Sequence, residues 1–403
     1  MTANSPPSDD SELWESLRKR EFPGARINLN AGTLGTPARS VRAAQREFWR
    51  GGLRAWPLGQ YQRARAEIRR VRALARDLWG PAAVAVTGGT SDAMTRVTLA
   101  LRAHLGAGPV RVLTSGHEHA GGLQGLQRLP GWEVHYLPDH ALADPAVVAT
   151  HVVALRPHIL CLSQLTYTTG QQVPVERHIA AARGHEPALW VIVDAAQALG
   201  LVPPALAGAD VVVGSGHKWL FGPPGSGLMW LSDRACRELS VGAAGEALDP
   251  EAPCAAFERA GGHDFSVHAG LAAALALHAR LGPAAVLARS RALAGEFAAA
   301  LHARLCERAI DHAFFNPDSG EPQSTPPTGL LGAVHVHFPT LDPYPAYAAL
   351  DARGIHLKCI KGIRPGGTRL AVLRACLPCH ESPARLHTAV TRIVDALTES
   401  ARS

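Results

Sequence analysis

The sequence predicts an α/β protein with a mostly parallel sheet flanked by helices, followed by a smaller α+β layer. Six short apolar runs recur through the middle of the 403-residue chain, and helical segments separate several of them. The pattern changes to long helices rich in Ala and Leu after residue 270. Short buried strands that alternate with helices are typical of a parallel sheet, so these observations together predict the fold class.

The larger layer is expected to contain the following elements, in chain order from the N-terminus. Residues 1–12 are rich in Ser, Pro and Asp, and we expect a disordered lead there. Apolar residues at helical spacing predict a helix over 63–79, which Gly80-Pro81 ends. The apolar runs predict strands at 82–86, 110–113, 158–162, 189–193, 211–213 and 227–231, with helices at 92–105 and 174–183.

The C-terminal part has a different character. Its patterns predict helices at 271–280 and 284–308, a proline-rich loop at 316–329, an alternating strand at 333–338 and a helix at 383–397. We therefore predict a large domain over 28–270 and a small domain over 271–403. The N-terminal segment 13–27 is expected to join the small domain.

Composition narrows the class of protein. Hydrophobic residues make up 47% and charged residues 18% of the chain, which allows a sizeable core and excludes global disorder. The 40 basic and 34 acidic residues leave a net charge of +6, too small a surplus to indicate a nucleic-acid-binding protein. Neither a membrane-spanning run nor a secretory signal is recognisable, and the seven scattered cysteines are expected to be reduced. These features predict a cytoplasmic protein without a nucleic-acid or membrane partner.

The strongest chemical signal is a lysine that follows a predicted strand. Lys218 comes shortly after the apolar run 211–213, and Ser215 and His217 lie just before it. Such a lysine suits an aldehyde cofactor, because its amine can form a Schiff base while small and hydroxylated neighbours let a phosphate approach. Asp194 closes the preceding predicted strand, and a carboxylate buried there needs a cationic partner such as a protonated pyridine nitrogen.

These residues resemble those of the fold-type I pyridoxal-phosphate enzymes in the class V aminotransferase group. That group includes cysteine desulfurases, selenocysteine lyases and isopenicillin-N-epimerase-like proteins, and the resemblance extends from about residue 28 to residue 397. It implies pyridoxal 5'-phosphate as cofactor, with Lys218 as the Schiff-base lysine, Asp194 beside the pyridine nitrogen and Gln197 near the phenolic oxygen. It also implies a homodimer that acts on a small amino-acid substrate.

The resemblance also assigns the other cofactor contacts. The segment Thr-Gly-Gly-Thr-Ser-Asp at 87–92 resembles the family's phosphate-binding turn between a strand and a helix, where backbone N–H groups and the helix dipole favour an anion. The expected phosphate-binding residues are Gly89, Thr90, Ser91, Ser215 and His217. His119 is expected to stack on the cofactor ring, with His117 as the alternative.

Three residues are implied to contact the substrate: Arg374, Asn30 and Tyr167. Arg374 matches the family's arginine that binds the substrate carboxylate, for which a planar guanidinium is well suited. Asn30 lies in a segment similar to one of the epimerase-like branch. Tyr167 lies where relatives often have a polar residue facing the cofactor, so it is expected either in the wall of the site or in the core. In the loop 261–266, which reaches the partner's phosphate in many relatives, Gly262 replaces the usual threonine.

The implied chemistry takes place at the substrate Cα. Lys218 is expected to act as the general base once the substrate has displaced it from the cofactor. After the Cα proton is removed, the substrate can lose a β-substituent, be reprotonated, or pass the proton to the cofactor. We rank a lyase first, ahead of an epimerase or an aminotransferase, with a catalytically idle binding protein as a remote alternative.

The cysteines disfavour a persulfide-forming desulfurase. In one desulfurase branch the catalytic cysteine aligns with Ile363 of this chain, and Cys359 lies four residues away from that position. Cys376 and Cys379 are expected to be two buried thiols rather than ligands of zinc or haem, and no metal site is predicted.

Overall fold

A computed structural model of the chain describes residues 10–24, 26–53, 56–241, 249, 252–258, 262–365 and 369–402. Its helices are α1 (Asp10–Glu21), α2 (Ala31–Leu34), α3 (Arg39–Leu53), α4 (Leu58–Trp79), α5 (Thr90–Leu105), α6 (Ala120–Arg128), α7 (Pro145–Leu155), α8 (Val175–His185), α9 (Asp233–Glu238), α10 (Ser266–Leu281), α11 (Pro283–Glu307), α12 (Tyr344–Ala352) and α13 (Pro383–Arg402). Its strands are β1 (Ile27–Asn28), β2 (Ala83–Thr87), β3 (Val110–Ser115), β4 (Trp132–Leu137), β5 (Ile159–Ser163), β6 (Trp190–Asp194), β7 (Val211–Ser215), β8 (Gly227–Leu231), β9 (Ala313–Phe315), β10 (Pro322–Gln323), β11 (Ala333–His337), β12 (Ile355–His356), β13 (Lys358–Ile363) and β14 (Arg369–Cys376).

A seven-stranded sheet forms the centre of the larger layer. Its strand order is β2-β8-β7-β6-β5-β3-β4. The pairs from β7 through β4 are parallel, whereas β8 runs antiparallel to both of its neighbours. Every residue of β5, β6, β7 and β8 is buried, as is typical of sheets covered on both faces. The predicted α/β class with a mostly parallel sheet is confirmed.

The six strands predicted from apolar runs are all present, with ends that differ by at most two residues. Strand β4, which lies at the edge of the sheet beside β3, is not predicted by the apolar runs. This strand alternates between buried and solvent-facing positions, with Glu133 exposed, and therefore lacks the continuous apolar run of the inner strands.

The second layer is an antiparallel sheet of five strands in the order β10-β9-β11-β14-β13. Phe297 and Leu301 of α11 share a buried core with Val336 of β11 and Leu373 of β14. The N-terminal segment joins this layer as well, since Ile27 of β1, which pairs in parallel with β12, is buried in the same core.

The N-terminal lead is shorter than expected. Helix α1 begins at Asp10, so residues 10–12 are helical rather than part of a disordered lead, and residues 1–9 lie outside the described part of the chain. The helix forms because Trp14 and Leu17 lie on one face of it and are buried against the body of the protein.

The domain boundary expected between residues 270 and 271 falls inside α10. Leu271 and Leu275 of this helix are buried in the same core as the large sheet, so the helix packs as one unit with that layer. We propose that the division lies at Gly282, between α10 and α11.

Among the described residues, no single helix is long and apolar enough to cross a membrane. Helices α10 and α11 meet the length and composition test only as a pair, and the chain bends by 80° between them.

The carboxyl ends of several strands meet at one edge of the large sheet. Asp194 is the last residue of β6, Ser215 is the last residue of β7, and β2 leads into the N-terminus of α5 at Thr90. The segment before α3 packs onto the same edge, since the Gly35 N–H donates to the His217 carbonyl over 2.8 Å. Because ligands of open α/β sheets bind beyond the carboxyl ends of the strands, this edge positions the candidate site.

Candidate active site

A cavity of about 230 Å³ lies at this edge, between the large sheet and β14. Eleven of the predicted residues line it: Gly89, Thr90, Ser91, His119, Tyr167, Asp194, Gln197, Ser215, His217, Lys218 and Arg374. The structure thus brings together residues from sequence positions almost 300 apart. Asn30 and the alternative histidine, His117, are not among the described residues that line the cavity.

Lys218 follows β7 and is half-buried in the cavity wall. Burial lowers the pKa of its ammonium from 10.5 to about 8, although the nearby Asp194 carboxylate opposes this effect. A lysine with such a pKa is partly neutral near physiological pH. The neutral amine is the form that attacks an aldehyde or accepts a proton, so this side chain suits both roles expected of it.

The lowered pKa of Lys218 predicts how fast the cofactor-free protein captures pyridoxal phosphate. Because only the neutral amine is nucleophilic, the rate constant should rise with pH through about pH 8 and level off above it. Stopped-flow absorbance of the cofactor measures this rate. A rate that still rises steeply toward pH 10.5, the ordinary lysine value, would show that the environment of Lys218 does not lower its pKa.

Asp194 ends β6 with a buried carboxylate that is only partly satisfied. Its Oδ1 atom accepts a hydrogen bond from the Ala196 N–H over 2.8 Å, and its Oδ2 atom has no hydrogen-bond partner among the described residues. Burial raises the pKa of this carboxyl group, while the positive charge of Lys218 acts in the opposite direction. A protonated ring nitrogen supplies the cation that the open oxygen lacks, so Asp194 fits a pyridoxal cofactor.

The space beside this carboxylate is kept open by a glycine. A Cβ atom at Gly122 of α6 would lie 2.9 Å from Asp194 Oδ2. Any side chain at this position would therefore crowd the oxygen atom that faces the cavity.

The opposite end of the cavity is built for an anion. Helix α5 begins there, and the first N–H groups of a helix have no partner inside the helix. The Thr90 and Ser215 hydroxyl groups lie 2.8 Å apart at this point, and His217 lines the same wall. Gly89 has a φ of 129°, a conformation that favours glycine and turns the chain from β2 into the helix. These donors fit the phosphate of the implied cofactor.

The geometry favours His119 over His117 as the ring that faces the cofactor. His117 is buried away from the cavity, with Nδ1 2.8 Å from the Thr168 hydroxyl and Nε2 3.0 Å from Asp139. The His119 ring lines the cavity and packs edge-on against the ring of Tyr167, with 5.0 Å between centroids.

His119 is neutral at physiological pH. The residue as a whole is exposed, but desolvation on the cavity side and the positive charges of Lys218 and Arg374 lower its pKa to about 4. Its Nδ1 atom accepts the Gly121 N–H over 3.0 Å, which caps the start of α6. The single ring proton is therefore assigned to Nε2, which makes this atom a hydrogen-bond donor.

Gln197 connects the N-terminal segment to the cavity. Its side-chain amide donates to the carbonyl of Gly32 over 2.8 Å. The residue is buried, and it lines the same cavity as Asp194.

Arg374 is a buried cation without an acidic partner in the described chain. Its Nη2 atom donates to Thr33 Oγ1 (2.9 Å) and to Asn30 Oδ1 (3.3 Å), and its Nη1 atom donates to the Tyr167 carbonyl (3.4 Å). The Nε atom has no partner among the described residues, although only 2% of the residue is exposed. Neutral oxygens do not balance a buried charge, so this guanidinium fits an anionic ligand. Asn30 holds Arg374 in position and does not reach the cavity itself.

Side chains in or next to the site that were not predicted include Thr33, Lys358 and Glu118, of which Glu118 is not among the described residues that line the cavity. Thr33 binds Arg374, and Lys358 lines the cavity beside it, directly opposite Arg374 in the pairing of β13 with β14. Glu118 accepts hydrogen bonds from Ser115 Oγ and from Ser163, and burial raises the pKa of its carboxyl group to about 7. Only Ile360 of β13 is buried and the strand does not alternate, so no local pattern in the sequence marked Lys358.

The cysteines are all free, as expected for reduced thiols. Cys359 neighbours Lys358 on β13 and packs against the core of the second layer, where burial raises the pKa of its thiol to about 11. Ile363, the position of the catalytic cysteine in one desulfurase branch, is exposed. Cys376 and Cys379 are buried thiols, as predicted. Within the described chain no cysteine lines the cavity.

The sequence of the chain is similar to those of known proteins. The sequence model of the family described as aminotransferase class-V matches residues 27–359. The chain is 31% identical over 278 residues to a probable cysteine desulfurase of Pseudomonas aeruginosa, with 64% of each chain covered. It is 28% identical over 234 residues to an isopenicillin N epimerase of Amycolatopsis lactamdurans, with 55% of this chain and 58% of the relative covered. The matches therefore span less than two thirds of the length of these two relatives.

Solved structures give the same fold. The apo structure of a cysteine desulfurase from Thermococcus onnurineus NA1 superposes with a TM-score of 0.76 at 19% identity, covering 96% of this chain and 98% of that one. The complex between the cystine C-S lyase C-DES and its product cysteine persulfide superposes with a TM-score of 0.75 at 21% identity, covering 92% and 98%. At these identities the likeness establishes the fold alone.

Proposed function

We propose that this chain, which belongs to the class-V aminotransferase family, is a pyridoxal-phosphate-dependent lyase that removes the Cα proton of an amino acid and expels a β-substituent. The observation that carries this proposal is that two complementary groups, the half-buried Lys218 and the buried Arg374, line one cavity. Lys218 supplies an amine with a lowered pKa, and Arg374 supplies a cation that has no acidic partner among the described residues. An amino-acid substrate provides a Cα proton for the first and a carboxylate for the second.

Pyridoxal 5'-phosphate is the cofactor of this family, as the resemblance implied, and the cavity fits it. The N-terminus of α5 with Thr90 and Ser215 would hold the phosphate, and Asp194 would hold the ring nitrogen. Lys218 would form the covalent link. When bound, this cofactor withdraws electrons from the substrate Cα and so acidifies the Cα proton.

Three residues of the chain bind the substrate and move its proton. The guanidinium of Arg374 binds the substrate carboxylate and thereby orients the Cα–H bond toward Lys218. The Lys218 amine takes the Cα proton, which leaves its nitrogen positively charged. The Nε2–H of neutral His119 can donate a hydrogen bond to the departing β-substituent.

The neutral state of His119 favours elimination over epimerisation. An epimerase must return a proton to the face of Cα opposite the base, and a histidine with a pKa of about 4 does not carry that proton at physiological pH. Because no cysteine lines the cavity among the described residues, the leaving group departs without transfer to an enzyme thiol. Sulfur removal by related proteins, named as a probable cysteine desulfurase and a cystine C-S lyase, supports a thiol or persulfide as leaving group.

An epimerase is the second candidate, and Lys358 is the observation that favours it. This ammonium group lines the cavity beside Arg374 and could return a proton to the substrate. The isopenicillin N epimerases among the relatives support the same reaction.

Incubation with a panel of amino acids in D₂O separates these reactions. The panel contains cystine, cysteine thioethers and alanine, and the products are identified by NMR while the cofactor spectrum is followed. A lyase yields a keto acid, ammonia and a free thiol or persulfide. An epimerase yields the deuterated enantiomer, an aminotransferase yields a keto acid that keeps its side chain, and an idle protein leaves the spectrum unchanged.

The Arg374→Ala variant should raise the KM of the substrate by roughly 10²-fold or more, since loss of a charged bidentate contact costs about 2–4 kcal/mol. The cofactor absorbance should not change, because the hydrogen bonds of Arg374 go to Tyr167, Asn30 and Thr33 and not to the phosphate-binding turn. Arg374→Lys should recover only part of the loss, since an ammonium group cannot form the planar fork. Arg369→Ala, an exposed arginine on the same strand, is the matched control and should keep the normal KM. An unchanged KM in Arg374→Ala would exclude this residue as the carboxylate ligand.

The homodimer implied by the resemblance remains a prediction. Gly261 lies outside the described residues, and Gly262 is exposed. We expect sedimentation at micromolar concentration to report a dimer, with the cofactor near the subunit boundary. A fully active monomer under these conditions would contradict this expectation.

A further inference from the structure

Three side chains of types that bind metal ions lie close together outside the cavity, where α11 ends and β9 begins. His302 and Cys306 are one helical turn apart on α11, and His312 directly precedes β9. One ligand atom from each of these residues lies within 4.8 Å of the other two. Neither the proposed reaction nor the family comparison gives these three residues a role.

We propose that His302, Cys306 and His312 form a zinc-binding site. The His302 Nδ1 atom lies 2.9 Å from His312 Nε2 and 3.7 Å from Cys306 Sγ. In a tetrahedral site with Zn–N bonds of about 2.0–2.1 Å and Zn–S bonds of about 2.3 Å, neighbouring ligand atoms are about 3.3 Å (N to N) and about 3.6 Å (N to S) apart. The observed separations differ from these values by a few tenths of an ångström, which small side-chain rotations accommodate.

The orientation of His312 supports the site. Its Nδ1 atom lies 2.8 Å from the Ile310 carbonyl, so the ring proton is on Nδ1 and the lone pair of Nε2 points toward His302. A backbone carbonyl that fixes the ring of a histidine in this way is the usual arrangement around protein-bound zinc. The rings of both histidines also pack edge-on against the buried Phe314, which limits their rotation.

The chemistry of the three ligand atoms indicates which metal ion binds. One thiolate and two imidazoles suit zinc, whereas magnesium and calcium require oxygen ligands. Cys306 is exposed, so water can occupy the fourth position of the tetrahedron. Binding releases the thiol proton of Cys306 and moves the ring proton of His302 from Nδ1 to Nε2, after which three lone pairs face the ion.

Zinc at this site would tie the end of α11 to the start of β9. Two ligands come from the last turns of the helix and the third follows the connecting turn, so the ion closes a loop in the second layer. Because these residues take no part in the active-site cavity, the inference stands independently of the proposed reaction.

The test is a cobalt(II) titration of the holoenzyme, followed by displacement with zinc. We expect one equivalent of cobalt per chain, with the visible bands of a tetrahedral ion and the near-ultraviolet charge-transfer band of a cobalt thiolate. The visible bands are read as difference spectra at wavelengths longer than the cofactor absorbs. Cys306→Ser should abolish the charge-transfer band and weaken binding by about 100-fold or more, because even loss of a supporting partner costs 10–100-fold.

Two further variants make the result specific. His312→Gln should weaken binding to a similar extent, and Cys236→Ser, a half-buried cysteine on α9, should bind cobalt like the unaltered protein. Zinc should raise the thermal unfolding midpoint of the unaltered protein and of Cys236→Ser, and it should not raise that of Cys306→Ser. Absence of the thiolate band, or a band that persists in Cys306→Ser, would overturn the proposal.

Discussion

Replacing Lys218 by alanine is expected to lower turnover by about 10⁴-fold or more, because this change removes the covalent anchor of the cofactor and the general base together. In the unaltered protein, borohydride reduction followed by peptide mass spectrometry should find a phosphopyridoxyl group on Lys218. In Lys218→Ala this adduct should be absent. Addition of a small primary amine such as methylamine should restore part of the turnover, since the protein still binds substrate and cofactor around the missing side chain.

The second lysine of the cavity provides the matched control for this experiment. Lys358→Ala also removes an amine from the cavity wall, but the adduct on Lys218 should remain. If reduction labels Lys358 or another lysine of the unaltered protein instead, the assignment of Lys218 is wrong. If Lys358→Ala blocks exchange of the Cα proton against solvent but leaves the adduct, the epimerase becomes the better candidate.

The parts of the site that could be predicted from the sequence lie at the ends of continuous apolar strands. Asp194 and Ser215 follow runs of buried residues, and Lys218 comes three residues later. Parallel strands bring their carboxyl ends to one edge of the sheet, so sequence order alone places these residues near one another. The resemblance drawn from them to the class V aminotransferase family is confirmed by the match over residues 27–359.

The remaining parts depend on contacts between distant segments. The bond from Arg374 to Thr33 joins residues 341 positions apart, and the pairing of β13 with β14 sets Lys358 beside Arg374. The contact between Arg374 and Thr33 leaves no local pattern, because it results from how the N-terminal segment packs against the second layer. Lys358 and Arg374 are neighbours within the second layer, and β13 has no apolar run or alternation that predicts their pairing. The position of Asn30 depends on the same packing, since its side chain accepts a hydrogen bond from Arg374 and is not among the described residues that line the cavity.

The proposed zinc ligands were overlooked for a different reason. Cys306 follows His302 by four residues, which places both on one face of a helix, and His312 is six residues further along. Among the cysteines, only Cys376 and Cys379 have a spacing that resembles a metal- or haem-binding motif. The helical phase of α11 and the turn after it are needed to bring the third ligand back toward the first two.

Replacing Asp194 by asparagine should lower kcat by about 10²–10³-fold while pyridoxal phosphate stays bound. An amide does not stabilise the protonated ring nitrogen, and loss of one such preorganised interaction typically costs a factor of this size. Steady-state kinetics measures the loss, and the absorbance of the bound cofactor reports its retention. Asp210→Asn is the control, because this buried carboxylate pairs with Arg183 over 2.7 Å outside the cavity, so its loss should lower stability and leave kcat nearly unchanged.

Thermal unfolding of the Asp194→Asn variant, measured with and without cofactor, distinguishes a carboxylate that binds the cofactor from one that only stabilises the fold. Burial raises the pKa of Asp194 in the folded protein above its value in the unfolded chain. Its ionised form therefore costs stability at neutral pH when no cofactor is bound, and this cost disappears as the pH falls below the unfolded value. Asp194→Asn should thus unfold at the same or a higher temperature than the unaltered protein without cofactor, and at a lower temperature with it. Near-normal turnover, or a loss of stability that is equal with and without cofactor, would remove Asp194 from the mechanism.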